Sequence, residues 1–205
     1  MRKKSHISLA KFIAENSDDE ALKKHRFSFY LGSILPDIKP SFLYKKHEIN
    51  GTIPNLQYQM CRLMDRMEEK QEHSRKSVRK MGEMSHYLAD YFTFPHNKEY
   101  PGSLKDHCSY EEELKQDLRS YLKTHEAKTN LNPKKSFGSV DALFDFVKKS
   151  HKDYLDNDHS VKHDIEHIVE VNHQAMEGFL ELLKNHGQHK NYINQSHHVH
   201  HGGAA

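Results

Sequence analysis

Two cysteines, Cys61 and Cys108, are all that the 205 residues contain, and tryptophan is missing altogether. Two thiols in unrelated contexts exclude a disulfide framework and point to a reducing compartment, with both expected as small buried apolar residues. Six prolines and nine glycines are few for this length. No segment alternates apolar and polar residues at the two-residue period of a strand, which excludes a β-rich fold. No run reaches the roughly eighteen consecutive apolar residues of a membrane span. The opening MRKKSHISLAKF lacks the apolar core and small-residue cleavage site of a signal peptide. A soluble, cytoplasmic protein is the expectation. Excess charge is scarce as well: 31 basic residues against 29 acidic ones leave +2. That balance gives no general electrostatic reason to bind nucleic acid, and the short basic runs at residues 2–4 and 75–80 read as solvated surface.

What the chain has in excess is histidine, nineteen in all. Imidazole is the commonest protein metal ligand and titrates near physiological pH. The apolar residues recur three and four apart, the spacing of an all-helical protein, and the length suits one core and one domain over residues 1–190. A first helix is expected from Ser5 to about Asn16, and a second from Asp18-Asp19 through FSFYLGSIL, read as core, to Pro36. A loop with Pro40, Gly51 and Pro54 follows, then helices over residues 56–71 and 77–92, the latter closed by Pro95. A fifth helix runs from the PGS of residues 101–103 to about His125. Two more occupy residues 141–155 and 159–186, after a linker at 130–139. The His-rich end, residues 191–205, is low in complexity and expected to be disordered.

Two histidine–carboxylate pairs stand out: His86 with Asp90, and His107 with Glu111. Each pair is four residues apart on a predicted helix, so imidazole and carboxylate lie one turn apart on one face and can bite a single ion, or ligate two neighbouring ions. Such pairs also arise by chance in a His-rich chain. His173 with Glu177 has the same spacing, the stripe His159, His163, His167 reads first as a helix face, and His197, His198, His200 and His201 can chelate metal adventitiously. Tyr87, Leu88, Tyr91 and Phe92 read as core.

Taken in order, SHISLA around His6, LGSILPD ending at Asp37, KKHE containing His47, HYLADYFTFPHN and HCSYEEE resemble the zinc-dependent phospholipase C family, related to single-strand-specific zinc nucleases. The resemblance covers about the first 115 residues and, more loosely, the helical remainder. It implies an all-α, single-domain bundle of the zinc-dependent phospholipase C type that binds two or three Zn2+ ions. Carried over by position, Asp37, His47, His86 and Asp90 would surround one zinc, and His96, His107 and Glu111 a second. His6 would contribute to a third that Asp90 bridges to the first. Pro95 would stop the helix so that His96 turns toward the cluster. Asp37 would orient or deprotonate the attacking water. In secreted members an N-terminal tryptophan supplies its amine and carbonyl to the third site; this chain has no tryptophan, so a two-ion site stays open, with His25 as a conceivable substitute ligand. The implied activity is phosphoric ester hydrolysis, on a phospholipid head group or a soluble phosphodiester, with nucleic acid a partner only as substrate. A non-catalytic helical metal-binding protein and a nuclease-like phosphodiesterase are the alternatives, and a purely structural helical domain is a third.

Overall fold

A computed structural model describes residues 1–38, 49–70, 74–129, 131, 134–157 and 159–199, excluding the side chains of 67–70 and 187–199. Among the described residues there are nine helices and no strands: α1 Lys3–Asn16, α2 Glu20–Lys24, α3 Arg26–Gly32, α4 Ile49–Lys70, α5 Arg75–Tyr91, α6 Leu104–Tyr121, α7 His125–Thr129, α8 Val140–Leu155 and α9 Val161–Val199. The all-helical expectation is met. The limit expected at residue 190 falls inside α9, and residues 200–205 lie outside the described part. None of the described helices is long and apolar enough to cross a membrane.

Helix α5 is the axis of the bundle. From Met81 to Tyr91 it is buried on nearly every face except at Tyr87, enclosed by α1, α3, α4 and α9. Met81, Met84, Leu88 and Ala89 supply its apolar contacts, and a fully buried side chain of the leucine or methionine class stabilises the fold by roughly 1.5–3 kcal/mol. The surrounding helices turn apolar stripes inward at helical spacing, as with Ile53, Leu56, Met60 and Leu63 on α4.

Two glycines set how closely α3 approaches this axis. A Cβ at Gly82 would lie 2.2 Å from the Phe29 carbonyl oxygen, and one at Gly32 would lie 2.1 Å from that of Arg79. Backbone therefore meets backbone, and the carbonyl of Ser33, just past α3, reaches a side chain of α5.

Several local expectations are corrected. Helix α1 begins at Lys3, with Arg2 as its cap, because Ser5 is buried within the helix. The predicted second helix is interrupted at His25, whose φ of −110° and ψ of 24° are not helical. Asp19 does cap α2, accepting the Leu22 N–H at 2.9 Å. In FSFYLGSIL only Phe29, Gly32 and Ser33 are buried. Phe27 and Leu31 point outward, since only one face of a seven-residue helix packs on α5. Helix α4 begins at Ile49 and takes in Gly51 and Pro54, both expected in a loop. Pro54 stands in its second turn, where it removes a single N–H from the ladder. Cys61 and Cys108 are exposed, not buried, because each sits on the outward face of its helix. Leu88, Tyr91 and Phe92 are core as expected, while Tyr87 is half-buried.

Candidate metal centre

Buried polar side chains are the informative exceptions in a core, and α5 carries a pair of them. His86 and Asp90, one turn apart, are both inaccessible to solvent. The His86 Nδ1 lies 2.8 Å from the Ser33 carbonyl oxygen. A carbonyl only accepts, so Nδ1 carries the proton in the neutral ring and Nε2 presents its lone pair. That lone pair faces carboxylates: Asp90 Oδ2 at 3.2 Å and Asp37 Oδ1 at 3.6 Å.

His6, from α1, completes this half. Its ring stacks on that of His86 with centroids 3.9 Å apart, and its Nε2 lies 3.3 Å from Asp90 Oδ1. Both ring nitrogens of His6 are buried without a hydrogen-bond partner. Burial, aided by His86, lowers its pKa to about 3 although Asp90 pulls the other way. The ring is therefore neutral over the ordinary pH range.

The second half is built where α5 stops. Pro95 lies in a 3-10 turn, Phe94–His96. Asn97 ties the helix end to the turn: its Nδ2 donates to the last α5 carbonyl, Tyr91 O, and to Thr93 O before the turn, each at 3.1 Å. The turn carries His96 back over the helix end, with His96 Nδ1 3.6 Å from Asp90 Oδ2. Helix α6, begun by a capping box between Ser103 and Asp106, brings up His107 and Glu111. Three nitrogens then crowd one carboxylate oxygen, Glu111 Oε1: His96 Nε2 at 3.1 Å, the Met1 α-nitrogen at 3.2 Å and His107 Nε2 at 3.4 Å.

The Met1 α-amine sits where the two halves meet, donating to Asp90 Oδ1 at 2.7 Å and lying 3.0 Å from His96 Nε2. Burial disfavours its charge, but Asp90 and Glu111 raise its pKa above the ordinary value. Glu111 responds in kind: burial opposes its ionisation, yet His96 and the ammonium hold its carboxyl at about 2. Asp90 also stays well below the usual carboxylate range against its burial, held there by the Met1 ammonium and then by His96 and His86. Burial and the ammonium lower the pKa of His96.

These residues suit a bound zinc ion. Ligand atoms of His6, His86 and Asp90 lie within 4.8 Å of one another, as do those of His96, His107 and Glu111. Imidazole and carboxylate are the donors that zinc takes at tetrahedral sites. The buried His6 ring, its Nδ1 without a hydrogen-bond partner, and the His86 lone pair directed at two carboxylates are costly arrangements that a shared cation relieves.

Of the residues singled out in the sequence, His6, Asp37, His86, Asp90, His96, His107 and Glu111 come together, with Asp90 between the halves. His6 joins His86 and Asp90 directly. His47 lies outside the described residues. His25 lies at the α2–α3 junction, where its N–H bonds to Ala21 O at 2.9 Å. His159 and His163 stack on Phe94 and Tyr154, and His167 Nδ1 bonds back to the His163 carbonyl. Glu177 accepts from Ser17 and Lys134. The Met1 amine, the Ser33 carbonyl and Asn97 were missed in the sequence; the N-terminal amine that secreted family members use was the one signal for the first, and nothing marks an internal carbonyl or a lone asparagine as part of a site.

No curated protein and no solved structure gives a significant match to this chain. The family model for zinc dependent phospholipase C matches residues 5–161, a span that contains His6, Asp37, His47, His86, Asp90, His96, His107 and Glu111. By that match over most of its length, the chain belongs to the zinc-dependent phospholipase C family.

Proposed function

We propose that this protein is a zinc-dependent phosphoric ester hydrolase, phospholipase C-like, with a cluster of two or three zinc ions. The observation that carries this reading is the meeting of two histidine–carboxylate trios at Asp90, whose Oδ1 faces His6 while Oδ2 faces both His86 of the first trio and His96 of the second. His6, Asp37, His86 and Asp90, with His47, form the first group of ligands; His96, His107 and Glu111 form the second. Zinc bound there supplies a Lewis acid that polarises the phosphoryl group and makes water a nucleophile near neutral pH.

The chain's own residues do the rest. Asp37, its side chain 10 % exposed against 1 % for Asp90, is the more accessible carboxylate of the first group and takes the proton of the attacking water as general base. As the new P–O bond forms, the ester P–O bond breaks and the alcohol leaves. His6, kept neutral by burial, and His86, held in one tautomer by the Ser33 carbonyl, keep lone pairs ready for the metal. Ile38, directly after Asp37, is an exposed apolar residue, as are Phe27 and Leu31 on the preceding helix. These exposed apolar side chains support an amphiphilic phosphodiester, such as a phospholipid head group with its glycerol, over a polyanionic strand. The cytoplasmic location expected from the sequence is part of the same reading.

Turnover of a chromogenic phosphodiester, abolished by chelation and restored by zinc, tests the proposal. Tight zinc without turnover on any phosphate ester favours the non-catalytic metal-binding alternative, and preferential cleavage of single-stranded DNA favours the nuclease-like one.

A further inference from the structure

One buried carboxylate outside the ligand set touches both limbs of the second trio. Asp164, in the first turn of α9, is inaccessible to solvent. Its Oδ2 accepts two hydrogen bonds, from the Phe94 N–H at 2.8 Å and from the Tyr110 hydroxyl at 2.9 Å. Its Oδ1 accepts a third, from the Tyr154 hydroxyl at 2.6 Å. Phe94 opens the turn that carries His96, and Tyr110 directly precedes Glu111 on α6.

An acid in the first turn of a helix ordinarily serves that helix's own N-terminus. Asp164 instead accepts from Phe94, Tyr110 and Tyr154, each on another element. Burial raises its pKa to about 6 against the three donors that lower it, so near neutral pH the carboxylate is ionised and accepts all three. Burial and Asp164 both raise the pKa of Tyr110 and of Tyr154, which keeps both phenols protonated as donors.

We infer that Asp164 is a positioning residue for the second metal subsite: through a single oxygen it fixes the His96 turn and the Glu111 turn of α6 relative to each other. It touches neither substrate nor metal. Its effect is on the separation of ligands that come from two different elements, a spacing that neither element sets alone. The inference rests on the proposed metal centre for its functional meaning, and on the hydrogen bonds alone for its geometry.

The test uses the full chain with Asp164→Asn and Tyr110→Phe, the second variant removing one hydroxyl and leaving the buried carboxylate in place. Titration with zinc, and with cobalt to read coordination from its visible spectrum, gives the affinity of each ion. Both variants are expected to bind the ion of the His96, His107 and Glu111 subsite at least ~10-fold more weakly, as loss of a ligand-orienting partner generally does, while the other subsite changes less than about twofold. Unchanged affinity at both subsites overturns the inference. So does an equal loss at both subsites accompanied by a lower melting temperature of the metal-free protein, which marks Asp164 as a general fold residue. Should the wild-type chain bind no metal, the proposed function fails, and a crystal structure of metal-free Tyr110→Phe still decides the positioning claim. A His96–Glu111 separation opened beyond its present 3.1 Å supports it, and an unchanged one overturns it.

Discussion

Asp90 is the residue on which the centre turns. Among the described residues it is the carboxylate that meets histidines of both trios, so Asp90→Asn, close in shape, is expected to lower phosphodiesterase activity by at least ~100-fold and to weaken both ions. His96→Ala should remove one ion only. Metal analysis beside circular dichroism of the two variants checks this; full activity in Asp90→Asn would contradict it. His6 makes a pH prediction whose sign follows from its burial. Its pKa is about 3 in the folded chain against 6.5 when unperturbed, so between those values the unfolded chain binds a proton that the folded one does not. Stability of the metal-free protein therefore falls as pH drops below about 6.5, by up to about 1.4 kcal/mol per pH unit from this group. Glu111 acts in the same direction in a lower window. Its folded pKa is about 2 against 4.5, so its contribution is present above 4.5 and is lost as pH falls toward 2. Thermal melts should show a smaller loss for His6→Gln than for the wild type between pH 6.5 and 4.5. Parallel pH dependence of the two would remove His6 from the account.

Among the elements, the α3–α5 contact links packing to chemistry. Gly82 lets the two backbones touch, and that approach sets the Ser33 carbonyl on His86 Nδ1. Gly82→Val is expected to cost about 3 kcal/mol through overpacking, and to weaken zinc binding through the lost His86 bond. A melting curve and a zinc titration read the two effects, and wild-type values in both would show that α3 does not hold His86. Much of this level was legible in the sequence. The helical period announced α1, α5, α6, α8 and α9, and the i, i+4 pairs gave His86 with Asp90 and His107 with Glu111. The break at His25 was not legible, because no glycine or proline marks it and tertiary packing of α3 decides it. The early start of α4 was hidden by Pro54, which reads as a breaker but falls within the first two turns of the helix. The turn that aims His96 was half visible: Pro95 announced an end, while Asn97, which ties the end of α5 to the turn, looked like any loop residue.

At the scale of the whole molecule, the ligands come from α1, the segment after α3, α5, the turn beyond it and α6. Their assembly therefore requires these elements to be packed together, and the ions should in turn stabilise that packing. Zinc at a free concentration about 100-fold above its Kd is expected to add about 2.7 kcal/mol to stability, so chelation should lower the melting temperature; a melt indifferent to chelator would contradict this coupling. The family resemblance was readable in the ordered motifs from His6 to Glu111, and the family match extends it to residue 161. Asp164 lies just beyond that span, and in the sequence it is only an acid near a helix start. The most direct test of the central claim is the zinc content of the full chain with His197, His198, His200 and His201 replaced by glutamine, which removes adventitious binding by the tail. Two or three tightly held ions, one fewer in the His96→Ala variant, is the predicted result, and less than one ion per chain would contradict the account.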